Sequence, residues 1–263
     1  MKRRRTIIRW YITRLAGRMS RITKPHILVK FFVKRYSQHY KISWKDSEFE
    51  LKTGVSFHDF FTRRLRPGAR KLGDKLVAPA DSRISSHGMN TNGTLIQAKG
   101  IDFSFADLTG CDHECPPTMS YAVFYLSPAD YHRFHAPFDM SILRMKSIGG
   151  TCYPVHSKST AKRRGLYCCN ERVVLSGDST YGKYWMVLVG AMIVGSVHLT
   201  FKGEPFDLSE GHEAECYYQL KTGDEIGYFS MGSTVVLCVE SPVLAQISIP
   251  LHQKIKMGDT LLQ

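Results

Sequence analysis

The stretch Phe229-Ser230-Met231-Gly232-Ser233-Thr234-Val235-Val236 joins a small-residue kink to a run of strand-forming residues near the end of the 263-residue chain. On its own, the pattern indicates a β-strand interrupted by small residues. Gly232 leaves its carbonyl open to approach, and the adjacent Ser233 carries a hydroxyl oxygen that can attack it. With a base nearby, such a pair can rearrange its own backbone, because a base activates a serine nucleophile.

Short apolar runs rich in β-branched and aromatic residues recur from Val77 onward, and turns separate them. These runs predict strands, which we place at 121–126, 172–175, 184–189, 192–199 and 234–239. Upstream of them, hydrophobic spacing predicts helices at 5–22, 26–39 and 57–65. The fold class is therefore predicted to be α+β, with a mostly antiparallel β core behind an N-terminal amphipathic helical region.

The N-terminal region is basic, and its first acidic residue is Asp46. At 100° per residue, the apolar side chains of residues 5–22 fall on one side of the predicted helix and most of the arginines on the other. This pattern is typical of a helix that lies in a membrane interface, and Arg9 and Arg14 interrupt the apolar runs that a spanning helix needs. The same pattern is compatible with a helix packed on its own domain or with an organelle transit peptide.

The whole chain carries 36 Lys and Arg against 23 Asp and Glu, a net charge of +13. This charge favours an anionic partner, which can be a phosphate ligand, an acidic membrane or nucleic acid. No recognition helix or RNA-binding aromatic motif is evident in the sequence, which argues against nucleic acid. Seven cysteines at irregular spacing favour free thiols in a reducing compartment, and Cys111-Asp-His-Glu-Cys115 lacks the second ligand pair of a zinc site.

Two segments far from Ser233 carry side chains suited to proton transfer. Val77-Ala-Pro-Ala-Asp81 ends in an acid after a turn, and Tyr131-His-Arg-Phe-His-Ala-Pro137 carries His132 and His135. An Asp in such a turn usually caps its own backbone, and isolated histidines are most often structural. Imidazole nevertheless titrates near neutrality, and an acid, a histidine and a serine can meet in a fold whatever their order. The residues alone leave a Ser–His–Asp site as a hypothesis.

These segments, in this order, resemble those of the phosphatidylserine decarboxylases, pyruvoyl-dependent membrane enzymes, and specifically their bacterial type. The resemblance covers nearly the whole chain and is most specific where the two-histidine motif is combined with the Gly-Ser-Thr motif. Its segments are 13–17, 31–34, 60–70, 77–81, 131–137, 190–191, 195–196 and 227–236. The first two resemble the helical leader of bacterial members, which argues against a transit peptide.

Two places in the sequence depart from the family pattern. Ser82 stands where the family usually has Gly after the Asp, and residues 149–155 alter a loop that usually contains Leu. Neither change removes a reacting group. Both changes concern the local turn shape and the access of substrate.

Self-cleavage of the chain is implied by the resemblance. Asp81 would orient His135, and His135 would take the proton of Ser233. The Ser233 oxygen would then attack the carbonyl carbon of Gly232. Ester formation, elimination and hydrolysis would convert Ser233 into a covalent pyruvoyl group, the only cofactor implied. The products would be a β subunit and an α subunit that stay together as a heterodimer, at residues 1–232 and 233–263.

The implied activity is the decarboxylation of phosphatidylserine to phosphatidylethanolamine, through a Schiff base to that pyruvoyl group. His132 would be the acid that reprotonates the substrate carbon, and no metal is implied. The implied partners are phosphatidylserine, an anionic membrane surface and the chain's own subunits in a dimer of heterodimers, with no nucleic acid. The enzyme would be a peripheral protein at the cytoplasmic face of the cell membrane, with a membrane-association region at 1–45 and a catalytic β-rich domain at 46–263.

Two other functions are compatible with parts of the sequence. A basic β domain that binds a membrane or nucleic acid without catalysis would explain the charge, but not the Gly232-Ser233 pair together with both histidines and the acid. A Ser–His–Asp hydrolase acting on lipid esters would explain the three polar residues. The Gly-x-Ser-x-Gly pattern of such hydrolases is absent around Ser233.

Overall fold

The computed structural model of the protein describes residues 15–98, 101–111, 115–151, 153–155, 157–160, 162–190, 197–201, 211–230 and 233–262. Residues 15–20 are helical, whereas the first part of the helix predicted at 5–22 lies outside the described residues. The other α-helices are α1 His26–Tyr40, α2 Phe57–Phe61, α3 Phe105–Thr109, α4 Ser157–Thr160 and α5 Leu166–Cys169, and Pro242–Gln246 forms a 3-10 helix. The helix predicted at 26–39 is thereby confirmed.

Helix α2 is shorter than the sequence pattern predicts. A capping box starts it, because the Ser56 hydroxyl accepts the Asp59 N–H and the Asp59 carboxylate accepts the Ser56 N–H. The prediction that the helix continues to residue 65 is wrong, because Leu65 forms a β-bridge with Ser47 instead. This bridge joins the chain on either side of the helix.

Thirteen strands are described. Each of the five strands predicted from the sequence overlaps one of them. Residues 192–196 of the strand predicted at 192–199 lie outside the described part of the chain. The strands are β1 Ser82–Met89, β2 Thr94–Ala98, β3 Ile101–Ser104, β4 Ser120–Leu126, β5 Arg133–His135, β6 Met140–Ile148, β7 Arg172–Ser179, β8 Gly182–Val189, β9 Val197–Leu199, β10 Glu213–Leu220, β11 Glu225–Phe229, β12 Ser233–Val239 and β13 Lys254–Ile255.

The strands form one large sheet and two small ones, in which every described pairing of named strands is antiparallel. The large sheet has the order β10-β6-β7-β8-β12-β4-β1-β13, and the small sheets have the orders β5-β11-β9 and β2-β3. The α+β class with a large antiparallel core is therefore confirmed.

Strand β12 lies between β8 and β4 in the large sheet, and all seven of its residues are buried. Successive strand side chains point to opposite faces of a sheet. Val235 and Leu237 accordingly join the core on one face, and Val236 and Cys238 join the core on the other. The continuous apolar run of this strand thus follows from burial on both faces.

Different elements cover the two faces of the large sheet. The three-stranded sheet covers one face, where Phe134, Ile226 and Phe229 enter the larger core. The hairpin β2-β3 and the helices α3 and α5 cover the other face, with Phe103 and Tyr167 among their buried side chains. The core with Ile226 and Phe229 lies under the chain segment that leads into Ser233.

Helix α1 carries two apolar stripes that face different surroundings. Val29 and Val33 pack with Phe49 and Phe60 in a small separate core. The other stripe is exposed and contains Ile27, Leu28, Phe31 and Phe32. Within the part of the chain that the structure describes, no helix has both the length and the apolar character that crossing a bilayer requires.

We expect Gly227→Ala to destabilise the fold, because a Cβ atom there would collide with the His198 carbonyl oxygen in the paired strand β9. Overpacking of this kind costs about 1–3 kcal/mol of unfolding free energy. Gly17→Ala is the control, since a Cβ at Gly17 meets no atom within 4 Å. Urea denaturation measures both variants, and a Gly227→Ala protein as stable as Gly17→Ala would contradict the described pairing of β9 and β11.

Candidate active site

Ser233 is the first residue of the central strand β12. It pairs with Leu126 of β4, and the next residue, Thr234, pairs with Val189 of β8. Its side chain is 0% exposed, and its Oγ has no hydrogen-bond partner within the described part of the chain. A buried hydroxyl without a partner costs free energy, and such groups occur where a site has chemistry to perform. Gly232 lies outside the described residues.

His132 lies at the end of the loop that follows β4, the strand opposite Ser233. Its ring packs on Phe61, with 4.1 Å between the ring centroids. Nδ1 is 2.8 Å from the Asp130 carbonyl oxygen, so this nitrogen carries the proton and donates it. Nε2 is buried and has no partner among the residues that the structure describes, and burial lowers the pKa of the imidazole. His132 is therefore a neutral imidazole with a free lone pair at neutral pH.

The Asp130 carboxylate fixes the loop that orients His132. One carboxylate oxygen accepts the N–H and the hydroxyl of Ser127, at 2.8 and 2.7 Å. The other lies 3.0 Å from the ammonium group of Lys254 near the C-terminus. Neither residue was predicted from the sequence, although Asp130 stands directly before the two-histidine motif. Lys254 carries no local sequence signal that would have indicated this contact.

His135 has both ring nitrogens engaged. Nδ1 donates to the Gly223 carbonyl oxygen at 2.9 Å, so that in the neutral ring Nε2 accepts a hydrogen bond from the Tyr131 hydroxyl at 3.1 Å. Burial lowers the pKa of this imidazole as well. The backbone N–H of His135 donates to the Pro79 carbonyl oxygen at 2.8 Å, which brings the segment before Asp81 alongside β5.

Asp81 is almost completely buried and has two partners. The Met257 N–H donates to Oδ1 at 2.8 Å, and Arg70 donates to Oδ2 at 3.3 Å. Burial raises the pKa of the carboxyl group, although both hydrogen bonds oppose this effect. Arg70, Met257 and His135 line one cavity of about 530 Å³, so Asp81 and His135 lie near the same cavity.

The predicted site residues thus occupy two neighbouring places. His132 and Ser233 are fully buried, His132 directly before β5 and Ser233 at the start of β12, while His135 lines the cavity and Asp81 contacts two of its lining residues, Arg70 and Met257. Among the hydrogen bonds of the described residues, none joins Asp81 to His135 or joins either histidine to Ser233. The hydrogen-bonded chain expected of a triad is therefore not assembled among the described residues.

Asn170 is a third residue that was not predicted from the sequence. Its amide nitrogen donates to the carbonyl oxygens of Tyr153 and Gly190, at 2.9 and 2.8 Å, and its amide oxygen accepts the Tyr153 N–H at 2.8 Å. Gly190 directly follows Val189, the last residue of β8, which pairs with Thr234 of β12. Asn170 therefore ties the altered loop at 149–155 to the part of the sheet that holds Ser233.

Ser82, the departure from the family pattern next to Asp81, fits its place without strain. It is fully buried, pairs with Ile255 of β13, and donates its hydroxyl proton to the Ala80 carbonyl oxygen at 3.1 Å. Ser82 does not have a positive φ, so glycine is not required here. The turn thus accommodates serine.

The loop between Cys111 and Cys115 was considered as a metal site in the sequence. Its residues 112–114 lie outside the described part of the chain.

We expect His132 to make stability depend on pH. Its folded-state pKa lies below the unfolded value of about 6.5, so its contribution is complete above pH 6.5 and is lost as the pH falls below that value. His132→Asn should therefore lose less unfolding free energy than the parent between about pH 7 and about pH 5. Urea denaturation in a Ser233→Ala background, which keeps the covalent state fixed, measures the difference.

The matched control for this comparison is His252→Asn. His252 is an exposed histidine with a φ of 66°, a conformation that asparagine tolerates. This variant should follow the parent across the same pH range. Equal losses in His132→Asn and the parent would show that the His132 ring is not held neutral by burial.

Comparison with known proteins identifies the family. A sequence profile described as phosphatidylserine decarboxylase matches residues 57–263. Similar proteins named phosphatidylserine decarboxylase proenzyme come from Psychrobacter arcticus, with 34% identity over 86% of this chain and 83% of the relative, and from Methylibium petroleiphilum, with 38% identity over 78% and 76%. A relative of the same name from Bordetella pertussis is 33% identical over 95% of this chain and 89% of its own. The chain belongs to the phosphatidylserine decarboxylase family of carboxy-lyases.

Proposed function

We propose that this chain decarboxylates phosphatidylserine to phosphatidylethanolamine with a pyruvoyl group made from its own Ser233. The observation that carries the proposal is the buried, unpartnered hydroxyl of Ser233 at the start of the central strand. The word proenzyme in the names of the relatives supports a chain that is activated after synthesis. The names of the same relatives also support phosphatidylserine as the substrate.

Self-cleavage would proceed through an ester and an elimination. The Ser233 oxygen attacks the Gly232 carbonyl carbon, and the C–N bond between the two residues breaks as the amide becomes an ester. Loss of the Ser233 α-proton then expels the Gly232 carboxylate and leaves a dehydroalanine. One water molecule then hydrolyses this enamine and releases its nitrogen as ammonia. The pyruvoyl group remains at the new N-terminus.

The two histidines have separate tasks in the proposal. His135, with Asp81 near the same cavity, takes the proton of Ser233 during self-cleavage. The His135 Nε2 accepts a hydrogen bond from the Tyr131 hydroxyl. This hydrogen bond must therefore open before Nε2 can take the serine proton. His132 acts later, since its Nε2 is buried, has no hydrogen-bond partner among the described residues, and can hold and return a proton at the substrate carbon.

The pyruvoyl group supplies a carbonyl that takes up the substrate amine and the electron pair released with CO₂. The described residues fit such a group at position 233. The Ser233 side chain is shielded from water, and a low-dielectric site favours loss of a charged carboxylate. Phe61 packs against His132 and excludes water from the nitrogen that would hold the proton.

The two products of cleavage would remain associated. Strand β12 lies between β8 and β4, so its removal would open the large sheet at the middle. Met257 and Lys254 add contacts to Asp81 and Asp130, which belong to the larger product. The smaller α subunit would therefore stay in place as part of a heterodimer, and we propose that two such heterodimers form a dimer.

We expect the purified protein to consist of two chains split between Gly232 and Ser233. Under denaturing conditions, the intact mass of the smaller chain should be lower than its sequence mass by the change from serine to pyruvoyl. Ser233→Ala should remain a single chain. A wild-type protein that remains uncut when supplied with phosphatidylserine vesicles would contradict the proposal.

Two histidine variants separate the proposed tasks. His135→Asn should remain uncut, because no base takes the serine proton. His132→Asn should cut and yet release CO₂ from phosphatidylserine at least about 100-fold more slowly, the usual contribution of a general acid or base. Cleavage by His135→Asn together with an uncut His132→Asn would reverse the roles assigned to the two histidines. The proposed overall reaction would still stand.

We further propose that residues 1–45 associate with the membrane at the cytoplasmic face of the cell. The exposed stripe of α1 supports this role, because its large apolar side chains face solvent while the opposite stripe is packed in a core. Leu15 and Met19 are also exposed on the preceding helical residues. Basic residues near an anionic surface add about 1 kcal/mol each to such binding.

The double variant Phe31→Glu, Phe32→Glu should bind phosphatidylserine-containing vesicles at least about tenfold more weakly, because burial of one such ring in an apolar phase contributes about 1.5–3 kcal/mol. The two side chains are 60% and 62% exposed, so the fold should tolerate the changes. Tyr217→Glu on β10 is the control, since Tyr217 is 66% exposed and lies outside the helical region. Vesicle co-sedimentation that does not distinguish the two proteins would exclude α1 as the docking surface.

A further inference from the structure

His198 contacts the chain segment that leads into the proposed cleavage site. It lies on β9, directly opposite Tyr228 of β11, and the two rings stack with 4.6 Å between centroids and 16° between planes. Nε2 of His198 lies 3.0 Å from the Ser230 hydroxyl, two residues further along the chain. Ser230 is itself buried and precedes Ser233 by three residues.

A second contact holds the residue before Ser230. The Phe229 N–H donates to the His132 carbonyl oxygen at 2.9 Å, and the Phe229 ring packs on Phe134 at 4.7 Å. On the far side of the cleavage site, Ser233 is fixed by its pairing with Leu126. The chain is therefore anchored at Phe229 and Ser230 before the site and at Ser233 after it.

The contact of His198 with Ser230 is a hydrogen bond between neutral groups. Burial lowers the pKa of His198 to about 4, and the charge of Arg21 and the neighbouring His58 add to this effect. The His58 ring lies 6.5 Å from the His198 ring, without a hydrogen bond to Ser230 among the described contacts. At neutral pH, the uncharged His198 ring thus holds the Ser230 side chain by a directional hydrogen bond and not by charge.

We propose that His198 is a positioning residue for self-cleavage, which acts by holding Ser230 and thereby the segment that carries the scissile bond. The proposal rests on the proposed function. An intramolecular attack is fast only when the nucleophile and the carbonyl are held in a narrow range of geometries. A Ser230 side chain released from His198 gives the segment additional freedom, which lowers the fraction of time spent in the reactive geometry.

The test is the rate of self-cleavage in newly synthesised chains. Cell-free synthesis followed by a chase gives the uncut fraction over time on a denaturing gel. His198→Ala and Ser230→Ala should each slow cleavage about 5- to 10-fold, as expected for loss of one hydrogen bond. The double variant should be no slower than either single variant, because all three lack the same contact.

Two further variants distinguish positioning from a general loss of structure. His198→Gln, whose amide can still reach a hydroxyl, should restore most of the rate. His58→Phe, which keeps a ring beside His198 and does not touch the hydrogen bond, should cleave at the wild-type rate. Denaturation of the same variants in a Ser233→Ala background shows whether their folds are equally stable.

Other outcomes overturn the inference. Independent, multiplicative effects of His198→Ala and Ser230→Ala would show that the two side chains do not act through one contact. A wild-type rate in both single variants would show that the contact is not needed. Failure of the wild-type chain itself to cleave would instead count against the proposed function, so the two failures are distinguishable.

Discussion

Burial of strand β12 on both faces is the constraint on which the rest of this structure depends. Its side chains alternate between two separate cores, and neighbouring strands occupy both of its edges. Each buried Val or Leu contributes about 1.5–3 kcal/mol relative to exposure, so the strand cannot shift its register without losing several such contributions. Ser233 is the first residue of this strand, and its position is therefore fixed by apolar packing that has no part in the chemistry.

Polar groups around Ser233 are buried at a cost that surrounding loops only partly offset. Main-chain groups form hydrogen bonds with three of these side chains: His132 with the Asp130 carbonyl, His135 with the Gly223 carbonyl, and Asp81 with the Met257 N–H. The His132 Nε2 and the Ser233 Oγ remain without partners. A fold selected for stability alone would pair or remove such atoms, since an unsatisfied buried polar atom costs about 1–3 kcal/mol. Violations of this kind are concentrated at functional sites.

Helix α2 connects the N-terminal helices with this site. Phe60 packs with Val29 and Val33 of α1, and the adjacent Phe61 packs against the His132 ring at 4.1 Å. Two neighbouring phenylalanines thus connect α1, the proposed membrane surface, with His132, the proposed proton donor.

Local pattern was sufficient to predict five of the thirteen described strands and α1, because β-branched runs and helical spacing reflect burial that each segment needs wherever it packs. It was not sufficient for the end of α2, where a bridge between Leu65 and Ser47 overrides the local preference.

The apolar pattern of α1 likewise did not reveal which stripe is buried, since the sequence offers both, and only contact with Phe49 and Phe60 selects Val29 and Val33.

By itself, the sequence determined the fold class and the family, and it indicated Asp81, His132, His135 and Ser233 as candidate site residues, because motif identity is a property of neighbouring positions. The tertiary structure alone decided the partners of those residues. Lys254 meets Asp130, and His198 meets Ser230, through strand pairings between distant segments. It also placed Asp81 with Arg70 and His135 with Tyr131, instead of Asp81 with His135. Side-chain contacts depend on the relative placement of separate strands and loops, and no spacing along a single segment encodes that placement.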